Sequence, residues 1–109
     1  MNIQIESTEG FIIVSIVGRV DTTNASEFEK SMMRIVDDGC TKIILDCYGL
    51  NYISSSGLRI FLIVQKKMIA IKGQFNLCNL QPGVKEIFDI SGFSSIFSIY
   101  ADKETALKI

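Results

Sequence analysis

Residues 42–71, KIILDCYGLNYISSSGLRIFLIVQKKMIAI, decide the fold class, because an apolar strand pattern is followed there by a helical pattern. The segment 42–47 is rich in isoleucine and leucine, as expected of a strand that is covered on both faces. Apolar residues then recur at helical spacing from Leu58 to about Ile71, and Gly73 ends the helix. A strand followed by a helix is half of a parallel crossover unit, so this segment predicts an α/β fold.

The same alternation extends over the whole chain. Ile3 and Ile5 alternate with polar residues, and the turn at residues 8–10 leads into a second strand, which predicts an N-terminal antiparallel hairpin. We therefore predict a single domain over residues 1–109 with an α/β fold, in which a small mixed, mostly parallel sheet carries about four helices. The predicted strands cover residues 2–6, 11–17, 42–47, 74–78 and 97–100, and the predicted helices begin at residues 25, 58, 82 and 103.

Composition excludes several classes of function. The chain has 11 basic and 12 acidic residues and a net charge of −1, so we expect neither a nucleic-acid partner nor a membrane surface. It has no histidine, which removes the commonest general base and most zinc sites. We therefore expect no enzyme activity, no metal site and no cofactor.

The three cysteines, Cys40, Cys47 and Cys78, are odd in number and have no C-x-x-C spacing. They fit reduced core thiols better than disulfides or metal ligands.

The first ten residues do not resemble a secretory signal, and residues 58–71 are too short and too charged to span a bilayer. A cytoplasmic location is therefore expected.

Two strand-to-helix segments, residues 18–24 and 47–56, should meet at the carboxyl ends of the parallel strands, where ligands and partners usually bind. The second contains three consecutive serines, Ser54, Ser55 and Ser56, followed by Gly57. Any one of them can cap the next helix, and a cap needs only one. The other hydroxyls are then candidates for contact with another protein. A serine hydrolase is disfavoured, because the candidate bases Lys66 and Lys67 lie more than two helical turns along the same helix.

The helix that follows the serines carries more apolar residues than one buried face needs. Its predicted inward stripe consists of Leu58, Phe61, Leu62, Gln65, Met68 and Ile69. Outside that stripe lie Ile60, Ile63, Val64 and Ile71. Either neighbouring helices cover this second set or it forms a partner-binding face.

In these segments the chain resembles the STAS family, and within it the small single-domain anti-sigma factor antagonists. The resemblance runs the full length of the chain in the same order of elements. It rests on the following residues: Gly18-Arg19-Val20-Asp21, Ile44-Leu45-Asp46, Tyr52-Ile53-Ser54-Ser55-Ser56-Gly57-Leu58-Arg59, Ile90-Ser91-Gly92-Phe93 and Phe97-Ser98-Ile99-Tyr100.

The resemblance implies a partner switch. Members of the family bind an anti-sigma factor that is also a serine/threonine kinase of the histidine-kinase-like ATPase fold, and this binding releases a sigma factor. Phosphorylation of one hydroxyl residue blocks the binding, and a PP2C-type phosphatase restores it. The family's acceptor position corresponds to Ser56. The implied partner-binding residues are Asp21, Thr22, Thr23, Asn24, Ser54, Ser55, Gly57, Leu58, Arg59 and Ile60.

Several roles at this surface stay open at the level of sequence. Ser54 stands where many antagonists carry an aspartate. Asp21 is a candidate both for capping the first helix and for contacting the partner, and Arg59 is a candidate to pair with Asp21 or with the partner. Asp46 is expected to organise a loop by accepting hydrogen bonds. The alternative function is a STAS scaffold in a lipid-transport or chemosensory complex, in which Ser56 is only a helix cap.

Overall fold

A five-stranded mixed sheet in the order β1-β2-β3-β4-β5 organises the chain. The computed structural model describes residues 1–108. The strands are β1 (Asn2–Thr8), β2 (Phe11–Val20), β3 (Lys42–Ile53), β4 (Gln74–Cys78) and β5 (Ser98–Tyr100). The helices are α1 (Ala25–Asp37), α2 (Ser55–Ala70), α3 (Pro82–Ile90) and α4 (Lys103–Leu107), with a 3₁₀ turn at Phe93–Ser95.

The strand directions confirm the predicted α/β class. β1 pairs with β2 in antiparallel register from Asn2↔Val17 to Thr8↔Phe11, and the other three pairings are parallel. Glu9 and Gly10 join the hairpin, and both have positive φ angles, 50° and 84°. Two consecutive residues of this kind form the type I′ turn, whose twist matches that of the paired strands.

Strand β3 is longer than predicted, because residues 48–53 continue it instead of forming a loop. Gly49 and Asn51 gave that segment the composition of a loop. Pairing of β3 with β4 ends at Asp46↔Cys78, but pairing of β3 with β2 continues as far as Val20↔Ile53 and keeps the segment extended. Two register shifts in this pairing absorb extra residues of β3. A Cβ atom at position 49 would lie 2.9 Å from Val17 Cγ2, so only glycine allows the strands to approach here.

The main core lies between the sheet and helices α1, α2 and α3, whereas α4 covers part of the opposite face. Phe61 of α2 is at its centre and has no exposed surface. Its ring centroid lies 5.6 Å from that of Phe28 in α1, 5.8 Å from that of Phe88 in α3 and 6.4 Å from that of Phe97. These tilted and edge-to-face contacts are the favourable geometries for aromatic pairs, and they join three helices through one side chain.

The predicted buried face of α2 was partly wrong. Ile69 was placed inward but is 63% exposed, whereas Ile60 and Val64, which were placed outside the stripe, are buried. The reason is that α2 packs against α1 as well as against the sheet, so its apolar surface is covered on two sides. Neighbouring helices thus account for Ile60 and Val64, and only Ile69 and Ile71 remain as large exposed residues of that helical segment.

All three cysteines are free thiols, with Cys47 and Cys78 buried and Cys40 partly buried. Burial raises the pKa of Cys47 well above its ordinary value and raises the pKa of Cys78 to about 12. Both thiols therefore stay protonated at neutral pH and pack as small apolar groups. No helix within residues 1–108 is long and apolar enough to cross a bilayer.

Replacement of Phe61 by alanine tests the position of the core. We expect Phe61→Ala to lower the free energy of unfolding by about 3–5 kcal/mol, because it leaves a cavity between three helices. Urea unfolding followed by circular dichroism measures this. The control is Ile69→Ala on the exposed side of the same helix, which should change stability by less than about 0.5 kcal/mol. Equal losses in the two variants would contradict this description of α2.

Candidate functional site

The carboxyl ends of β2 and β3 bring the two predicted functional segments together. Val20 and Ile53 are register partners, and the backbone N–H of Ser54 donates to the carbonyl oxygen of Val20 at 2.9 Å. The start of α2 is thus tied directly to the strand that leads into α1. Residues from both segments line one shallow surface depression between the two helices: Thr22, Ala25, Ser26, Glu29, Ser56, Arg59, Ile60 and Ile63.

Ser54 is the cap among the three serines. Its hydroxyl oxygen accepts from the backbone N–H of Gly57 at 3.2 Å, and its carbonyl accepts from Leu58 N–H at 2.9 Å. Ser55 is exposed, and Ser56 is half-buried at the second helical position. The prediction that Ser56 could be the helix cap is therefore wrong, because Ser54 fills that position. Serine and aspartate are both good caps, so Ser54 performs the local structural role that an aspartate would perform there.

Gly57 lets α2 approach the strand ends closely. A Cβ atom at this position would lie 2.8 Å from Ile53 Cγ1 and 2.8 Å from Val20 Cγ1, closer than carbon atoms can pack. Gly57 is buried, as are the side chains of Leu58 and Ile60. These three residues therefore shape the site from beneath, Ile60 also lines the depression, and the partner contacts that the resemblance implies for them stay a prediction.

Asp21 organises the loop before α1 and does not cap that helix. Its Oδ1 accepts from the backbone N–H of Thr23 at 2.9 Å and from the Thr23 hydroxyl at 2.6 Å. Asn24, the residue at the N-cap position, accepts from Asp21 N–H and donates from Nδ2 to the carbonyl of Arg19, both at 2.9 Å. The loop is thus held by its own polar groups. Thr22 and Thr23 point away from the core and are exposed.

Hydrogen bonds from Thr23 are the main reason why the pKa of Asp21 lies below its ordinary value, and Arg19 adds a smaller effect in the same direction. Arg19 Nε lies 3.5 Å from Asp21 Oδ2. Asp21 is therefore ionised at neutral pH and presents a negative charge beside the depression.

Arg19 and Tyr52 are site residues to which the sequence analysis gave no role. The Arg19 guanidinium carbon lies 4.2 Å from the centroid of the Tyr52 ring, the geometry of a cation–π contact. The pair arises because Arg19 and Tyr52 are register partners in β2 and β3, which the sequence does not reveal when β3 is taken to end at residue 47. Within residues 1–108 Arg59 forms no ion pair, so the pairing of Arg59 with Asp21 is not found and Arg19 takes that place.

Asp46 is a hydrogen-bond acceptor as predicted, although it lies within β3 and not at the end of that strand. Its Oδ1 accepts from the backbone N–H of Tyr48 at 3.1 Å and from Asn79 Nδ2 at 3.0 Å.

Neither Lys66 nor Lys67 lines the depression that holds Ser56. Among residues 1–108, no group of three or more acidic or cysteine side chains is placed to hold a metal ion.

Comparison with known proteins identifies the family of the domain. The STAS domain model matches residues 2–106. The chain belongs to the STAS domain family. Its relatives are anti-sigma factor antagonists, which are non-enzymatic, so the prediction that the chain is not an enzyme is confirmed.

Two relatives align over nearly the whole chain. BtrV of Bordetella bronchiseptica, provisionally named an anti-sigma factor antagonist, is 39% identical over 106 residues, covering 97% of this chain and 91% of BtrV. The anti-sigma F factor antagonist of Paenibacillus polymyxa is 30% identical over 110 residues, covering 98% and 94% of the two chains.

Two solved structures share the fold. A Thermotoga maritima protein, provisionally named an anti-sigma factor antagonist, superposes with a TM-score of 0.93 at 20% identity, covering 97% of this chain and 92% of its own. The Bacillus cell fate determinant SpoIIAA in its phosphorylated form superposes with a TM-score of 0.72 at 22% identity, covering 95% and 96%. At this level of identity the two structures support the STAS architecture alone.

Loss of the cap should weaken α2 measurably. We expect Ser54→Ala to lower the free energy of unfolding by about 1 kcal/mol, because Gly57 N–H loses its acceptor. Ser54→Asp should retain the stability, because aspartate caps equally well and its charge is favourable at a helix N-terminus. Urea unfolding measures both, with Ser55→Ala as the neighbouring control. A larger loss of stability in Ser55→Ala than in Ser54→Ala would show that Ser54 is not the cap.

The Asp21 loop predicts a defined pH dependence. Because the folded-state pKa is lowered, the stabilisation from Asp21 is present above its unfolded-state pKa and is lost as the pH falls through the folded-state value. Thr23→Ala should raise the pKa of Asp21, since one hydrogen bond to the carboxylate disappears. Carboxyl carbon NMR titration measures this, with Thr22→Ala as the matched control. The same Asp21 pKa in Thr23→Ala as in the unmodified chain would refute the assignment.

Proposed function

We propose that this chain is an anti-sigma factor antagonist of the bacterial cytoplasm that works by partner switching. It binds an anti-sigma factor that is also a serine/threonine kinase of the histidine-kinase-like ATPase fold, and so releases a sigma factor. Phosphorylation of Ser56 by that kinase ends the binding, and a PP2C-type phosphatase restores it. The names of the relatives support the antagonist role in general.

The observation that carries the proposal is the placement of Ser56. Its hydroxyl lies in the first turn of α2 and forms no hydrogen bond within residues 1–108, while Ser54 does the capping. Thr22 from the other loop lines the same depression. A kinase that binds this end of the sheet would therefore meet both loops and an unengaged hydroxyl.

A phosphate on Ser56 suits the domain that carries it. It adds a charge of roughly −1.5 to −2 at the amino end of a helix, where backbone N–H groups and the helix dipole favour anions. Ser54, the neighbouring cap, is uncharged, so no carboxylate stands at the cap position, and Glu29 of α1 is the acidic residue that lines the depression. Arg59 lies three residues further along the helix, lines the same depression and supplies a positive charge.

The same phosphate is costly at an interface. A dianion that is buried against the partner loses its hydration, and acidic groups of the partner repel it. Each 1.4 kcal/mol of lost binding energy weakens affinity about tenfold. The exposed or partly exposed residues that we assign to the contact surface are Asp21, Thr22, Thr23, Ser55, Ser56 and Arg59, with Asn24 and Ser54 holding the two loops in place.

The test uses the cognate kinase and a pair of matched variants. Incubation with kinase and Mg-ATP should add one phosphate, which mass spectrometry should locate on Ser56. Ser56→Asp should weaken binding to the kinase by about a hundredfold, whereas Ser98→Asp places the same charge on an exposed serine of β5, outside the depression, and should leave binding unchanged. Both variants should keep the thermal stability of the unmodified chain.

Three results would contradict the proposal: phosphate found elsewhere on the chain, unchanged binding of Ser56→Asp, or recovery of transporter or chemosensory subunits and no kinase in a pull-down. The last result would instead support the scaffold alternative. Removal of phosphate from Ser56 by a PP2C-type phosphatase, with recovery of kinase binding, completes the test.

A further inference from the structure

Strand β1 is a long, open edge of the sheet. It pairs with β2 on one side only, and five of its seven residues are exposed. Proteins usually protect such edges with proline, lysine, bulges or a very short strand. β1 has neither proline nor lysine, its register with β2 is uninterrupted, and it is more than twice as long as β5, which has three residues at the opposite edge.

An apolar groove runs along this edge on the side of α1. Ile5 is 57% exposed, and Ile3 is only partly covered, because α1 does not extend over the outer strand. The other groove residues are Ile12, Ile35 and Cys40, with Ser31, Arg34 and Asp38 from α1 and its end along the rim. The apolar strip therefore lies directly beside the unpaired backbone of β1, on the α1 side of the sheet.

We propose that a second copy of this chain binds the edge, with its β1 antiparallel to this β1. Two identical strands that pair in this way are related by a two-fold axis perpendicular to the sheet, so the two five-stranded sheets become one continuous sheet. This axis keeps the faces of the two sheets aligned. Helix α1 of each copy then lies on the same side, and the two apolar grooves merge into one strip.

The alternation of residues in β1 selects the register. If Gln4 lies on the axis opposite Gln4 of the second copy, Ile3 lies opposite Ile5 and Asn2 lies opposite Glu6. Each isoleucine then contacts an isoleucine on the α1 side, as cross-strand pairing favours. A shift of the axis to Glu6 would place two carboxylates opposite each other, which is unfavourable. A shift to Ile5 would leave Ile3 opposite Ser7.

The charges along the edge are compatible with this register. Glu6 is the only charged residue of β1, and its carboxylate lies 3.4 Å from Lys103 Nζ of α4, on the face opposite the groove. In the Gln4-centred register the Glu6 carboxylate meets the neutral amide of Asn2 from the second copy.

The contact surface for the kinase uses residues after β2 and β3 and none of β1, so this interface goes beyond the proposed function and is tested separately from it.

Sedimentation velocity over a range of concentrations tests the proposal with charge variants of Gln4. The unmodified chain should show a monomer–dimer equilibrium. Gln4→Lys and Gln4→Glu should each raise the dimer dissociation constant about five- to tenfold, because a residue on the axis opposes its own copy. An equimolar mixture of the two variants should restore dimers, because lysine then faces glutamate.

The matched control is the pair Ile69→Lys and Ile69→Glu on the exposed side of α2, which should dimerise like the unmodified chain. Ile5→Lys, which places a charge in the merged groove, should also weaken the dimer. Far-UV circular dichroism confirms that each variant is folded. The proposal is overturned if the unmodified chain stays monomeric at every concentration, if both Gln4 variants dimerise normally, or if mixing them restores nothing.

Discussion

The close contact between the start of α2 and the ends of β2 and β3 is the constraint on which the site depends. Gly57 leaves no room for a Cβ atom between Val20 and Ile53, and the Ser54 N–H bonds to the Val20 carbonyl. Both contacts hold the helix N-terminus in one position relative to the loop that contains Asp21. The arrangement of Ser56 beside Thr22 is therefore a property of the packed core and not of a mobile loop.

This rigidity bears on how a phosphate would act. The helix N-terminus is already capped by Ser54, so a charge on Ser56 has no local structure to create or to destroy. Phe61, one and a half turns further along α2, packs against three other phenylalanines and resists any displacement of the helix. Modification at this site would change the chemistry of the surface while the backbone stays in place.

The sequence was sufficient for the order of elements, because apolar periodicity and glycine positions mark each strand and helix. It was insufficient wherever the outcome depended on a neighbour distant in sequence. The extension of β3 to Ile53 requires β2 beside it, the burial of Ile60 requires α1, and the contact of Arg19 with Tyr52 requires their register. The capping serine could not be chosen from composition, since three equivalent hydroxyls are adjacent and only backbone geometry selects Ser54.

The contact of Arg19 with Tyr52 also gives this protein an internal optical probe. The chain has no tryptophan and three tyrosines, and both Tyr48 and Tyr52 lie towards the carboxyl end of β3. Tyrosine emission of the isolated domain therefore arises largely from the end of the sheet where a partner would bind. A ligand that separates the guanidinium from the Tyr52 ring would alter that emission without any attached dye.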